Sequence, residues 1–112
     1  MDFAIRNRNG RLIGMISFHG KYPKLKRDEI GFWLARSYWN RSIMTQVLRR
    51  FEELGFRKYG YKRLHMLIFG FNKRSMRVAE KCGFTLTRSI RRAYFKNGRW
   101  ISGKLFSKIS AL

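Results

Sequence analysis

At 112 residues the chain has room for one domain built around a single hydrophobic core. Its residues are 45% hydrophobic and 16% aromatic, which excludes the disordered class despite the high charge content. Twenty-six Lys and Arg against six Asp and Glu leave a formal net charge of +20, which speaks of partners and solubility and not of fold. It fits attraction to RNA, to a ribosome or to an acidic protein, or a basic surface that reflects composition alone.

The segment "FAIRNRNGRLIGMISF" places two β-forming runs around Asn9-Gly10, a dipeptide suited to a type I′ turn, so residues 3–18 are predicted to form a hairpin. "HGKYPKLKRD" follows, with the only proline, Pro23, and four bases, as a basic loop. "EIGFWLA" (29–35) is nearly continuous in apolar residues and predicts a strand buried on both faces. From Trp39 to about Phe56 the period changes, with Ile43, Val47, Phe51 and Leu54 at spacings of three and four and charged residues between them. An amphipathic helix is expected there, stopped by Gly55 or Gly60.

"RLHMLIF" (63–69) predicts the next buried strand. "NKRSMRVAEKCGF" (72–84) predicts a second helix with Asn72 as N-cap and Gly83 as its stop. "TLTRSIRRAYF" and "RWISGKLFSKI" flank Lys96, Asn97 and Gly98 and predict a closing hairpin. The order strand, strand, strand, helix, strand, helix, strand, strand points to an α/β (α+β) fold, a mixed sheet with helices packed on it.

Cys82 has no second cysteine to pair with and lies beside Gly83 and Phe84, as a buried structural thiol would. His19 and His65 are too few and too isolated for a metal site. No apolar signal region opens the chain and no segment is long enough to span a bilayer, so the expected setting is the reducing cytoplasm, away from membranes.

"DEIGFWLARSYWNRSIMTQVLRRFEELGF", then "NKRSMRVAEKCGF", then "YFKNGRW" resemble the GNAT N-acetyltransferases, in particular the branch that acetylates the N-terminus of ribosomal proteins. The shared features are an acidic residue before an Ile-Gly-aromatic-Trp-Leu strand, an aromatic-Trp approach to a helix, an Asn-x-x-Ser helix start, a Gly-Phe helix end and a late Asn-Gly hairpin. The resemblance covers nearly all of the chain. It implies a mixed, mostly antiparallel sheet with two helices packed on it, and an acetyl-coenzyme A cleft where strands 29–35 and 63–69 splay apart. Relative to the family, the chain is expected to lack an N-terminal strand and two helices that wall the acceptor site. An oligomer or a second chain would then complete that wall.

The resemblance also assigns roles. The pantetheine arm would bond to backbone around Leu34 and Ala35. The pyrophosphate would sit on amides at the start of the first helix, around Trp39, Asn40, Arg41, Ser42, Ile43 and Met44. Here the family motif is altered: Trp39 holds its first place, Ser42 replaces a Gly, and Met44 replaces a Gly or Ala, adding bulk along the cofactor path. Asn72 would face pantetheine and Ser75 would protonate the leaving thiolate, or both are merely helix-cap and first-turn residues. Glu29 would act as general base, directly or through a water, with Asp28 and His19 behind it, although an α-amine titrates near neutrality and needs little help.

Two functions are therefore expected. One is acetyl-coenzyme A-dependent N-acetylation of an amine, of a protein or peptide. The other is a non-catalytic basic GNAT-fold protein that docks on RNA, a ribonucleoprotein or an acidic protein through its bases and through Tyr38, Trp39, Tyr59, Tyr61 and Trp100.

Overall fold

The computed structural model describes the backbone of residues 1–112 and all side chains except that of Pro23. In chain order the elements are β1 (Asp2–Arg6), β2 (Leu12–Phe18), β3 (Arg27–Leu34), α1 (Ile43–Arg57), β4 (Arg63–Phe69), α2 (Lys73–Lys81), β5 (Thr85–Lys96) and β6 (Arg99–Ile109). The strands form one six-stranded sheet in the order β1-β2-β3-β4-β6-β5. Neighbours pair antiparallel except β3 and β4, which are parallel, so the sheet is mixed and mostly antiparallel as expected.

Both helices cover one face of this sheet. Phe18 and Ile30, together with Leu64, Met66, Ile68 and Phe106 further along the sheet, join Met44, Leu48 and Phe51 of α1 and Met76 and Ala79 of α2 in one core. The two central strands are not buried on both faces. Their burial alternates along β3 and β4, and Trp33 is 50% exposed, because apolar residues on the other face have no helix over them.

The two Asn-Gly dipeptides behave differently. At Asn97-Gly98 both residues take positive φ, 52° and 76°, and Lys96 pairs with Arg99, giving the two-residue turn. At the first hairpin only Gly10 is left-handed. Residues 7–11 form a wider loop, held by the Asn7 side-chain carbonyl, which accepts the N–H groups of Asn9 and Arg11 at 3.0 Å each.

The first helix begins at Ile43, not Trp39. Arg36–Tyr38 make a short 3-10 turn, and Asn40 and Ser42 take left-handed φ values of 61° and 58°, which a right-handed helix cannot continue through. Nor does the helix stop at Gly55, which is buried inside it where a Cβ would meet Phe18 Cζ at 2.9 Å. Gly60, with φ 70°, lies beyond the end.

Asp28 ties the loop after β2 to the sheet. Its 1% exposed carboxylate accepts from Gly20 N–H at 2.8 Å, Glu29 N–H at 2.7 Å and the Tyr61 hydroxyl at 2.8 Å. Burial first, then this bond, pushes the Tyr61 pKa up to about 12.

Candidate functional site

The parallel pairing of β3 with β4 is short. It runs from Arg27↔Arg63 to Glu29↔His65 and then ends, although β3 continues on β2 to Leu34 and β4 continues on β6 to Phe69. Beyond the last pair the strands part, and a cavity of about 710 Å³ opens between the end of β3, the approach to α1 and the start of α2. The expected splay is therefore present.

The turn into α1 supplies donors. No protein acceptor takes the backbone N–H groups of Asn40 through Thr45 among the described residues, and the first bond of the helix runs from Gln46 N–H to the Ser42 carbonyl at 3.2 Å. Asn40, Ser42, Ile43, Met44 and Thr45 all line the cavity. Such a row of free amides at a helix start suits an anion. Ser42, which the resemblance sets where the family has Gly, takes a left-handed backbone that a Gly would adopt without strain. Met44 lines the cavity while 94% of its surface is buried in the core.

The opposite wall is cationic. Lys73, Arg74, Arg77 and Lys81 of α2 line the same cavity, and none of them makes an ion pair among the described residues. Arg74 lies 4.3 Å above the Trp39 ring, and its Nε donates to the Asn40 side-chain carbonyl at 3.4 Å. Sequence reasoning missed these four bases. Their signal was there: positions 73, 77 and 81 repeat every four residues and so share a helix face.

The Asn72 side chain caps α2 by accepting from Ser75 N–H at 3.2 Å, so the capping reading holds. Ser75 lines the cavity, and its hydroxyl has no protein partner among the described residues. Trp39 and Leu34 also line it, and the Trp39 indole N–H donates to the Leu34 carbonyl at 2.7 Å. Three expected residues lie outside the lining. Ala35 spends its N–H on the Ile13 carbonyl and its own carbonyl on Tyr38 N–H, Arg41 stacks over the Tyr38 ring at 5.5 Å, and Glu29 stands at the point of the splay.

Glu29 gathers the two histidines that looked isolated in sequence. His19 Nδ1 lies 3.5 Å from one carboxylate oxygen, while His65 Nε2 at 3.7 Å and Lys21 Nζ at 2.9 Å approach the other. This bond to Glu29 raises the Lys21 pKa, whereas burial pushes the His65 pKa down. Burial and the Glu29 charge raise Tyr94. Among the described residues no group of three or more His, Cys, Asp or Glu is placed to hold a metal ion. Asp28, with its hydrogen bonds already filled on the helix-covered face, is not a free base. Cys82 is buried, its thiol donating to the Thr45 carbonyl at 3.4 Å, and burial raises its pKa.

Residues 1–85 match the sequence pattern of the acetyltransferase (GNAT) domain. The chain belongs to the GNAT acetyltransferase family. Among GNAT relatives in Bacillus subtilis, the uncharacterized N-acetyltransferase YoaA is 30% identical over 93 residues, covering 83% of this chain and 52% of that protein. The ribosomal-protein-serine acetyltransferase of Escherichia coli is 29% identical over 102 residues, covering 91% of this chain and 57% of that protein. The chain thus spans about half the length of the curated relatives it matches. A solved ribosomal-protein alanine acetyltransferase of Vibrio fischeri superposes with a TM-score of 0.91 at 22% identity, over 98% of this chain and 61% of its own. A spermidine N-acetyltransferase of Vibrio cholerae gives 0.88 at 17%, over 96% and 64%. These two share the GNAT fold with it. Among the described residues no helix is long and apolar enough to cross a membrane.

The GNAT family generally uses acetyl-coenzyme A, and the residues present fit that group. Free amides at a helix start, four unpaired cations across a cavity and an apolar strand end match a polyphosphate joined to a less polar arm.

Proposed function

We propose that the chain works as an acetyl-coenzyme A-dependent N-acetyltransferase acting on a protein or peptide amine. The observation that carries this reading is the row of unpartnered amides from Asn40 to Thr45, all of whose residues but Arg41 line the cavity at the splay of β3 and β4. Those amides, with Lys73 and Arg74, would hold the phosphates, while Trp33, Leu34 and Asn72 would contact the rest of the cofactor. Bound there, acetyl-coenzyme A supplies an acetyl group activated as a thioester.

The chain's own residues do the rest. Glu29 accepts a proton from the amine, directly or through a water, with His65 and His19 beside it to pass charge onward. The Ser75 hydroxyl, on the cavity wall, would give its proton to the thiolate that leaves as the acetyl group passes to the amine nitrogen. The names of the ribosomal-protein acetyltransferases among its relatives support a protein amine as acceptor. Calorimetric titration with acetyl-coenzyme A, followed by mass spectrometry of a peptide α-amine, tests the reading. Saturable binding with an added acetyl group is expected; binding without transfer would overturn the activity and leave a cofactor-holding scaffold, and absence of both would overturn the whole reading.

A second reading, association with RNA or another polyanion, is supported by the net charge of +20.

A further inference from the structure

No acidic residue follows Glu80 in the chain. The β5–β6 hairpin is built entirely in that stretch, and it outreaches the sheet that carries it. Pairing of β6 with β4 ends at Phe69↔Gly103, whereas β5 and β6 stay paired through Tyr94↔Ile101 and Phe95↔Trp100 to Lys96↔Arg99. The outer end is thus a two-stranded arm closed by the tight turn at Asn97-Gly98.

On this arm Phe95 and Trp100 are 63% and 53% exposed, and their rings lie edge to face with centroids 5.2 Å apart. A pair this exposed contributes little to the core. The same hairpin carries Arg88, Arg91, Arg92, Lys96 and Arg99, all exposed, with no ion pair to any of them among the described residues. Two of the four loop bases are less free, since Lys21 is bound to Glu29 and Arg27 lies 4.5 Å over the Tyr22 ring.

We propose that this arm binds an unpaired nucleic-acid strand, with Phe95 and Trp100 stacking on bases and the surrounding Arg and Lys neutralising phosphates. The inference rests on the polyanion reading and is independent of acetyl transfer. It favours one partner because both features must be used. An acidic peptide offers carboxylates but no flat face for the two rings, and a duplex offers phosphates while its bases are stacked on one another. A single strand presents both, and stacking of this kind tolerates any base.

The test uses the full chain and fluorescein-labelled single-stranded RNA, with matched single-stranded DNA, RNA duplex and polyglutamate as further arms. Changing Phe95→Ala and Trp100→Ala together is expected to weaken single-strand binding on the order of tenfold or more. Phe95→Tyr with Trp100→Phe, which keep the flat faces, should restore most of it. Replacing Arg91, Arg92, Lys96 and Arg99 by Gln should flatten the log–log salt dependence by about 2 to 3, at roughly 0.7 for each phosphate left without its counter-charge. Both single strands should bind alike, more tightly than duplex or polyglutamate.

Unchanged RNA affinity in the folded aromatic variant would refute the arm while leaving polyanion binding in place. Failure of the parent chain to bind at low salt would refute both. Preference for duplex, or equal binding of polyglutamate, would overturn the single-strand assignment.

Discussion

The Glu29 carboxylate and the His65 imidazole meet 3.7 Å apart at the last pair of the parallel strands, where the sheet begins to open. That position leaves Glu29 outside the lining of the cavity proposed for the cofactor, so its proposed role as base is separable from cofactor binding. Glu29→Gln should therefore lower turnover on the order of a hundredfold while acetyl-coenzyme A affinity stays nearly constant. Steady-state kinetics with an independent binding titration would decide it, and equal losses in both would place Glu29 in cofactor binding instead.

His65 also links stability to pH. Burial holds its folded pKa below the ordinary 6.5, with Glu29 opposing, so the folded chain resists a proton that the unfolded chain accepts. This contribution is full above 6.5 and is lost as pH falls through the folded value. Thermal melts should thus drop on mild acidification, and His65→Gln should reduce that slope. An unchanged slope would mean that other groups carry it.

Ser42 and Met44 separate the two departures from the family motif. Ser42 sits at φ 58°, so Ser42→Gly should remove strain and stabilise the fold by roughly 0.5–1 kcal/mol without harming cofactor binding. Met44→Ala should widen the cofactor path and tighten binding, but the side chain is also core and its loss should destabilise by about 2–3 kcal/mol. Chemical denaturation paired with calorimetry reads both effects. Weaker binding in a folded Met44→Ala protein would remove Met44 from the path.

Gly55 sets how closely α1 lies on the sheet. Gly55→Ala gains helix propensity, yet its Cβ would meet Phe18 at 2.9 Å and Leu64 at 3.3 Å. Overpacking should win, with a net loss of about 1–2 kcal/mol in denaturant unfolding. A stabilised variant would show that the contact relaxes freely.

Periodicity and turn chemistry made most of the fold legible: every strand and both helices occupy segments expected from sequence, and Asn72 caps as its position suggested. What escaped depends on distance in space. The left-handed turns at Asn40 and Ser42 delay α1 because backbone strain leaves no mark on a hydrophobic pattern. Glu52, one of the charged residues between the apolar positions of α1, is 8% exposed and bonded to Lys108 Nζ, which comes from β6. His19 and His65 meet at Glu29 only because β2, β3 and β4 are neighbours. The cavity residues of α1 were legible through the family resemblance, while the cationic face of α2 needed the helix to be set across from them.

The register shifts in β5, between Leu86 and Arg88 and between Ile90 and Tyr94, acquire a meaning from where that strand lies. It is the last in the sheet, paired on one side only. An even edge of that length would invite a second copy to add itself strand by strand and so start a fibre. Two breaks in the register and the exposed Arg88, Arg91 and Arg92 oppose such growth through shape and mutual repulsion. Neutralising the three arginines should therefore appear in light scattering as self-association beyond that of the parent, and a neutralised chain that scatters as the parent does would assign the protection to the bulges alone.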